Sequence, residues 1–112
     1  MRIEFINSRK SLDWIKVLAM ETYEEMVKGV VDIEKSVVAL GGDMHADSEK
    51  VLIDNGSIQK DIWGFNWYID EEDKIQYTSL INIRPAQNNT SLEVSDIKIK
   101  EKMKTIIEGF LK

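Results

Sequence analysis

Between Ile62 and Ile69 the chain reads Ile-Trp-Gly-Phe-Asn-Trp-Tyr-Ile, and no other stretch limits the fold so tightly. Trp63, Phe65, Trp67 and Ile69 recur at a period of two, which places them on one face of a β-strand. Ile62, Gly64, Asn66 and Tyr68 take the other face. Residues 75–84 repeat the period, with Tyr77, Ser79, Ile81 and Ile83 alternating with Thr78, Leu80, Asn82 and Arg84. The two runs predict a hairpin over 61–69 and 75–84. Its connection, Asp70-Glu71-Glu72-Asp73-Lys74, is a solvated acidic tip that lacks the spacing and glycine of a calcium loop.

The other segments fit around this hairpin. Arg2-Ile3-Glu4-Phe5-Ile6 alternates as a first strand. A helix follows, capped by Asn7 or Ser8 and running to about Glu24, with Leu12, Ile15, Ala19 and Tyr23 along one face, widened by Trp14 and Leu18. The β-branched residues of Met26–Ile33 and Ser36–Leu40 predict a second hairpin turning at Glu34-Lys35. Asp47 or Ser48 caps a short helix through Val51, Leu52 and Ile53, and Asn55-Gly56 ends it. Pro85 closes the return strand and Gln87-Asn88-Asn89 turns. Ser95 or Asp96 then caps a final helix with a stripe of Ile99, Met103, Ile106 and Phe110. The predicted fold class is α+β: an antiparallel sheet of four or five strands in two hairpins, with an N-terminal, a short central and a C-terminal helix.

A chain of 112 residues predicts one globular domain, 1–112, able to bury about two thirds of its unfolded surface. At 43% hydrophobic and 31% charged it is too apolar for disorder. No apolar run approaches the roughly 20 residues of a membrane span, so no membrane partner is implied. The absence of cysteine excludes disulfides and thiolate zinc sites and points to a soluble protein of the reducing cytoplasm. Net charge is −5, which argues against general nucleic-acid binding. The charge is uneven: residues 96–112 are +2 and the rest −7. That basic tail reads as a solvated helix face.

Chemistry concentrates in Gly41-Gly42-Asp43-Met44-His45-Ala46-Asp47-Ser48-Glu49, where a strand turns on two glycines into a helix and gathers three carboxylates and the only histidine. His45 and Asp47 form His-x-Asp, a base with its orienting carboxylate and the candidate catalytic pair. His45 with Asp47 or Glu49, and Asp43 or Asp32 as a third ligand, would also suit a divalent metal. The plainer account is that Asp47 caps the helix and a backbone or carboxylate partner holds His45. No metal site and no cofactor is assigned, and Gly41-Gly42 matches neither a P-loop nor a dinucleotide fingerprint.

Asn66, Asn82 and Arg84 are the second oddity, because amides are unfavourable in strands and their burial demands partners. Arg84 suits a bidentate pair with Asp43 or Asp47, or with a ligand's carboxylate or phosphate. Trp63, Phe65 and Trp67 could stack on bases, but acidic charge and the lack of adjacent basic residues favour core packing.

Several of these words also form a known pattern. Val30–Glu34, Gly41–Asp47, Gly56–Gln59, Trp63–Asn66 and Ser79–Gln87 together resemble a small prokaryotic family known only as a domain of unknown function. The resemblance covers residues from about 26 to 95. The family pattern has Gly after the Gln87 position, where this chain has Asn88, the next-best residue for a left-handed turn. The resemblance implies one compact domain and supplies no activity, because none is assigned to the family.

Two functional classes follow. In the first, the protein is a binding module whose pocket, built from Asp43, His45, Asp47, Asn66, Asn82 and Arg84, captures a small anionic ligand or a protein partner. In the second it is a small hydrolase or transferase with His45 as general base or metal ligand. Binding is preferred, because a lone His-x-Asp is thin ground for catalysis.

Overall fold

The computed structural model describes residues 1–72 and 74–112; Asp73 of the acidic tip lies outside the described residues. Five strands form one antiparallel sheet: β1 (Ile3–Ile6), β2 (Met26–Asp32), β3 (Val37–Gly41), β4 (Ile62–Tyr68) and β5 (Ile75–Gln76), in the order β1-β3-β2-β4-β5. Among the described residues three α-helices accompany it: α1 (Leu12–Met20), α2 (His45–Asp54) and α3 (Ile97–Leu111). The fold is thus α+β. Among the described residues no helix is long and apolar enough to cross a membrane.

The sheet is covered on both faces. Trp63, Phe65 and Trp67 of β4 join Val27, Val31, Val38 and Leu40 beneath Ile15 and Leu18 of α1 and Met103, Ile107 and Leu111 of α3. All three β4 rings are buried, so this face is core and not a stacking platform. Each such side chain stabilises the fold by about 2 kcal/mol relative to exposure. On the other face Val30, Ala39 and Ile62 pack against Leu52 of α2.

The first hairpin turns as its charged pair suggested. Asp32 Oδ1 accepts from the Glu34 and Lys35 amides, both at 2.9 Å, and Ser36 takes the left-handed conformation. The second hairpin is much shorter than expected on its return side. Only Ile75 and Gln76 pair with β4; residues 80–82 and 85–87 form single 3₁₀ turns instead. The cause is local hydrogen bonding. The Ser79 hydroxyl accepts from the Ile81 amide at 3.3 Å, and the Asn82 amide donates to the Ser79 carbonyl at 3.1 Å. These bonds pull an alternating sequence out of the ladder.

Helix boundaries moved for similar reasons. Ser11, not Asn7 or Ser8, caps α1 by accepting from Trp14 N–H at 3.1 Å. That helix ends at Met20, short of Glu24, whose positive φ of 67° breaks it. Neither Asp47 nor Ser48 caps α2: the helix opens one turn earlier, from an extended Met44 without a side-chain cap. Asp96 caps α3 as expected, but the buried stripe is Met103, Ile107 and Leu111, with Ile99, Ile106 and Phe110 flanking it half-buried. Asn88 adopts φ 61°, the left-handed turn anticipated for it.

Candidate functional site

The turn after β3 decides where the histidine goes. Gly41 and Gly42 hold φ of 110° and 78°, conformations costly for any residue with a Cβ. They fold the chain back over the sheet so that His45 becomes the first residue of α2. Ser48 Oγ then donates to the Gly41 carbonyl at 3.0 Å and locks helix to turn.

From there the His45 ring reaches down to the sheet, where Nε2 lies 2.7 Å from the Phe65 carbonyl oxygen. A carbonyl only accepts, so Nε2 carries the hydrogen and the neutral ring keeps Nδ1 as an acceptor. Burial lowers the His45 pKa below the usual 6.5. The Phe65 carbonyl opposes that shift, the Lys28 ammonium adds to it, and the Asn66 side chain opposes it.

Lys28 and Asn66 face each other across β2 and β4, on the side of the sheet that carries α2. Asn66 Nδ2 donates to Gln76 Oε1 at 2.9 Å, but its Oδ1 is buried with no well-formed hydrogen bond among the described residues. Lys28, His45 and Asn66 border a cavity of about 330 Å³. Its mouth is apolar: Met44, Leu80 and Leu92 line it with 52%, 71% and 43% of their surface exposed. An apolar rim over a few convergent polar groups is how ligand sites are commonly built.

The remaining candidates divide. Asn82 is fully buried and spends its amide on the Gly64 backbone and the Leu92 carbonyl, so it stands behind the cavity and does not line it. Arg84 does not pair with Asp43 or Asp47; its carboxylate partner is Glu49, at 3.4 Å. The reach is set by position, since α2 carries Glu49 over the sheet edge where Arg84 sits. The guanidinium also donates to the Ile62 and Ile81 carbonyls and lies 4.7 Å above the Trp63 ring. Burial raises the Glu49 pKa, an effect that Arg84 opposes.

Asp43 and Asp47 lie outside this cluster. Asp43 is exposed and accepts from the Tyr23 hydroxyl at 2.9 Å. Asp47 is exposed in the first turn of α2, and no hydrogen bond or ion pair among the described residues joins it to His45. The orienting group for His45 is therefore a backbone carbonyl. Asp32 is committed to its turn and to the Ser57 hydroxyl, which donates at 2.6 Å. Among the described residues no three of His, Asp and Glu are placed to hold a metal ion.

Lys28 borders the cavity and is the candidate that sequence reasoning missed. The signal was there: a single lysine inside Met-Val-Lys-Gly-Val-Val, in phase with Val30, on a strand otherwise apolar up to its last residue, Asp32. Met44, Leu80 and Leu92 gave no such signal, since an exposed apolar residue is ordinary until its neighbours are known.

Comparison with known proteins adds the family. A family model described as "Protein of unknown function (DUF5674)" matches residues 4–110 of the 112. No curated protein and no solved structure matches the chain. With nearly its whole length under one model, the chain belongs to the DUF5674 family, whose function is unknown.

Proposed function

We propose that this protein is a binding module whose ligand is a small molecule, or the tail of a partner, with an apolar body and an anionic group. One observation carries the reading: the cavity bounded by Lys28, His45 and Asn66 is floored by polar groups and rimmed by exposed Met44, Leu80 and Leu92. The rim would cover the apolar body. The Lys28 ammonium would meet the anion, and His45, kept neutral by burial, would offer Nδ1 to a donor on the ligand. Asn82 and Arg84 would serve by holding the cavity wall, and Asp43 and Asp47 would stay outside it. The absence of cysteine supports a cytoplasmic setting, and the net charge of −5 supports a ligand other than nucleic acid.

The test uses hexanoate and its neutral amide, hexanamide, as probes in ¹H–¹⁵N spectra of the labelled protein. Hexanoate should shift the Met44, His45, Asn66 and Ser79 amides saturably, hexanamide far less, and Lys28→Gln should remove the difference. Equal shifts from both probes, or none from either, would overturn the reading.

A further inference from the structure

On the opposite face of the sheet a second cavity, of about 220 Å³, is lined by Arg9, Lys10, Lys74 and Lys112 together with Ser11, Leu12, Trp67 and Leu111. Among the described residues, four cationic side chains and no acidic side chain line it, on a protein whose net charge is −5. Such a concentration is self-repelling unless something negative sits in it.

Two further features belong to the same cavity. The cavity lies at the start of α1, where Ser11 satisfies the Trp14 and Ile15 amides and leaves those of Leu12 and Asp13 to open the helix. Free amides and the helix dipole both favour an anion there, against which the exposed Asp13 carboxylate acts. The second feature is Trp67, whose side chain lines the cavity while its ring is 1% exposed. Its indole Nε1–H is buried and unpaired among the described residues. A buried donor without an acceptor costs free energy that a bound acceptor would recover.

The cations are only partly engaged. Lys112 pairs with Glu108 at 3.0 Å and Lys74 donates to the Ile69 carbonyl. Lys10 and Lys74 sit over the Trp14 and Trp67 rings, at 5.1 and 5.9 Å. An adjoining hollow, shared through Lys74 and Lys112, brings Lys104 but also Glu72 and Glu108. Carboxylates thus flank one side, while the charged side chains that line the cavity are, among the described residues, all cationic.

We infer that this cavity is a phosphoryl-binding site that holds the dianion of a small phosphate monoester. Several point charges, helix-end amides and one indole donor suit a tetrahedral oxyanion with acceptors in every direction. A single carboxylate would leave most of those donors unused. The cavity has room for the phosphoryl group and a short organic stub, with Leu12 and Leu111 beside the stub. The inference is independent of the His45 cavity, which lies across the sheet.

The indole itself is the reporter. The Trp67 Nε1–H signal, assigned with Trp67→Phe, would be followed while sodium phosphate or glycerol phosphate is titrated against sodium chloride of equal ionic strength. Both phosphates should move it downfield saturably, together with the Leu12 and Asp13 amides. Lys10→Gln with Lys74→Gln should weaken binding about tenfold or more, since charge-assisted hydrogen bonds are lost. The variant's remaining signals should stay in place, showing that it is folded. Shifts no larger than those from chloride, or unchanged affinity in the double variant, would overturn the site. Binding of inorganic phosphate alone would overturn its assignment to a monoester.

Discussion

Asn82 clasps Gly64 through both ends of its side-chain amide. Its Oδ1 accepts from the Gly64 N–H at 2.8 Å and its Nδ2 donates to the Gly64 carbonyl at 3.1 Å. One side chain thereby stands in for a residue of a neighbouring strand. This is why β5 can stop after Gln76 without leaving the middle of the β4 edge unpaired. Arg84 does the same for the next backbone group along, donating to the Ile62 carbonyl. Asn89 in turn fixes the Asn82 backbone, donating to its carbonyl at 2.7 Å.

Removing the clasp should be costly. Asn82→Ala leaves two buried backbone groups of Gly64 without partners, each worth about 1–3 kcal/mol when unsatisfied. A loss of about 3 kcal/mol in urea denaturation is expected. A loss under about 0.5 kcal/mol would mean that water replaces the amide without penalty.

Gly64 is required for a different reason. A Cβ built there would lie 2.5 Å from Ser79 Cβ and 2.7 Å from its Oγ. Gly64→Ala should therefore destabilise by about 2 kcal/mol, as overpacking does. Ser79→Gly removes the obstructing atoms at the loss of one long hydrogen bond to the Ile81 amide. The double variant should then be more stable than the sum of the single losses implies. Strict additivity would show that the backbone, not Ser79, absorbs the clash.

These residues also show where sequence reasoning stopped. The period-two run from Trp63 to Ile69 was decisive, because three large rings on one face leave few alternatives to a strand. Residues 77–84 have the same period and are mostly not strand, because the hydrogen bonds of Ser79 and Asn82 compete with the ladder. Nothing in the alternation announces that competition. The two asparagines stood out equally in the sequence, yet only their partners separate Asn82, spent on Gly64 and the Leu92 carbonyl, from Asn66, whose Oδ1 is left over among the described residues. Two of the three helix caps, those of α1 and α2, failed by smaller steps. Several short polar residues stood near each start, and packing of Ile15 and Leu18 selected Ser11. The cavity was invisible for a geometric reason: Lys28, Met44, Asn66 and Leu92 meet only after the sheet is assembled.

The phase of α3 offers a clean comparison. Ile107 and Leu111 are buried under the sheet, while Phe110 is half-buried at the edge of the stripe. Ile107→Ala and Leu111→Ala should each cost about 3 kcal/mol. Phe110→Ala should cost less, despite removing the larger side chain. The reverse order would mean that α3 is rotated by one residue toward the Ile99, Met103, Ile106, Phe110 stripe.

His45 should make stability depend on pH in a definite direction. Its pKa in the folded protein is below 6.5, chiefly through burial, with Lys28 adding to the shift and the Phe65 carbonyl and Asn66 opposing it. The unfolded chain therefore binds more protons at this position as pH falls below 6.5. By linkage, the stability contributed by neutral His45 is complete above that value and is lost as pH drops through the folded pKa. Glu49 works the other way at lower pH. Its folded pKa is raised above 4.5, so the stability it favours in acid is lost as pH rises. The two are separated by a substitution that leaves Glu49 in place. His45→Gln keeps a donor for the Phe65 carbonyl but cannot titrate. Denaturation of both proteins at about pH 8 and about pH 5 brackets the histidine range. Wild type should lose more stability than His45→Gln between those points. An equal loss would mean that the ring is protonated as readily in the fold as outside it, and that Lys28 and burial do not hold it neutral.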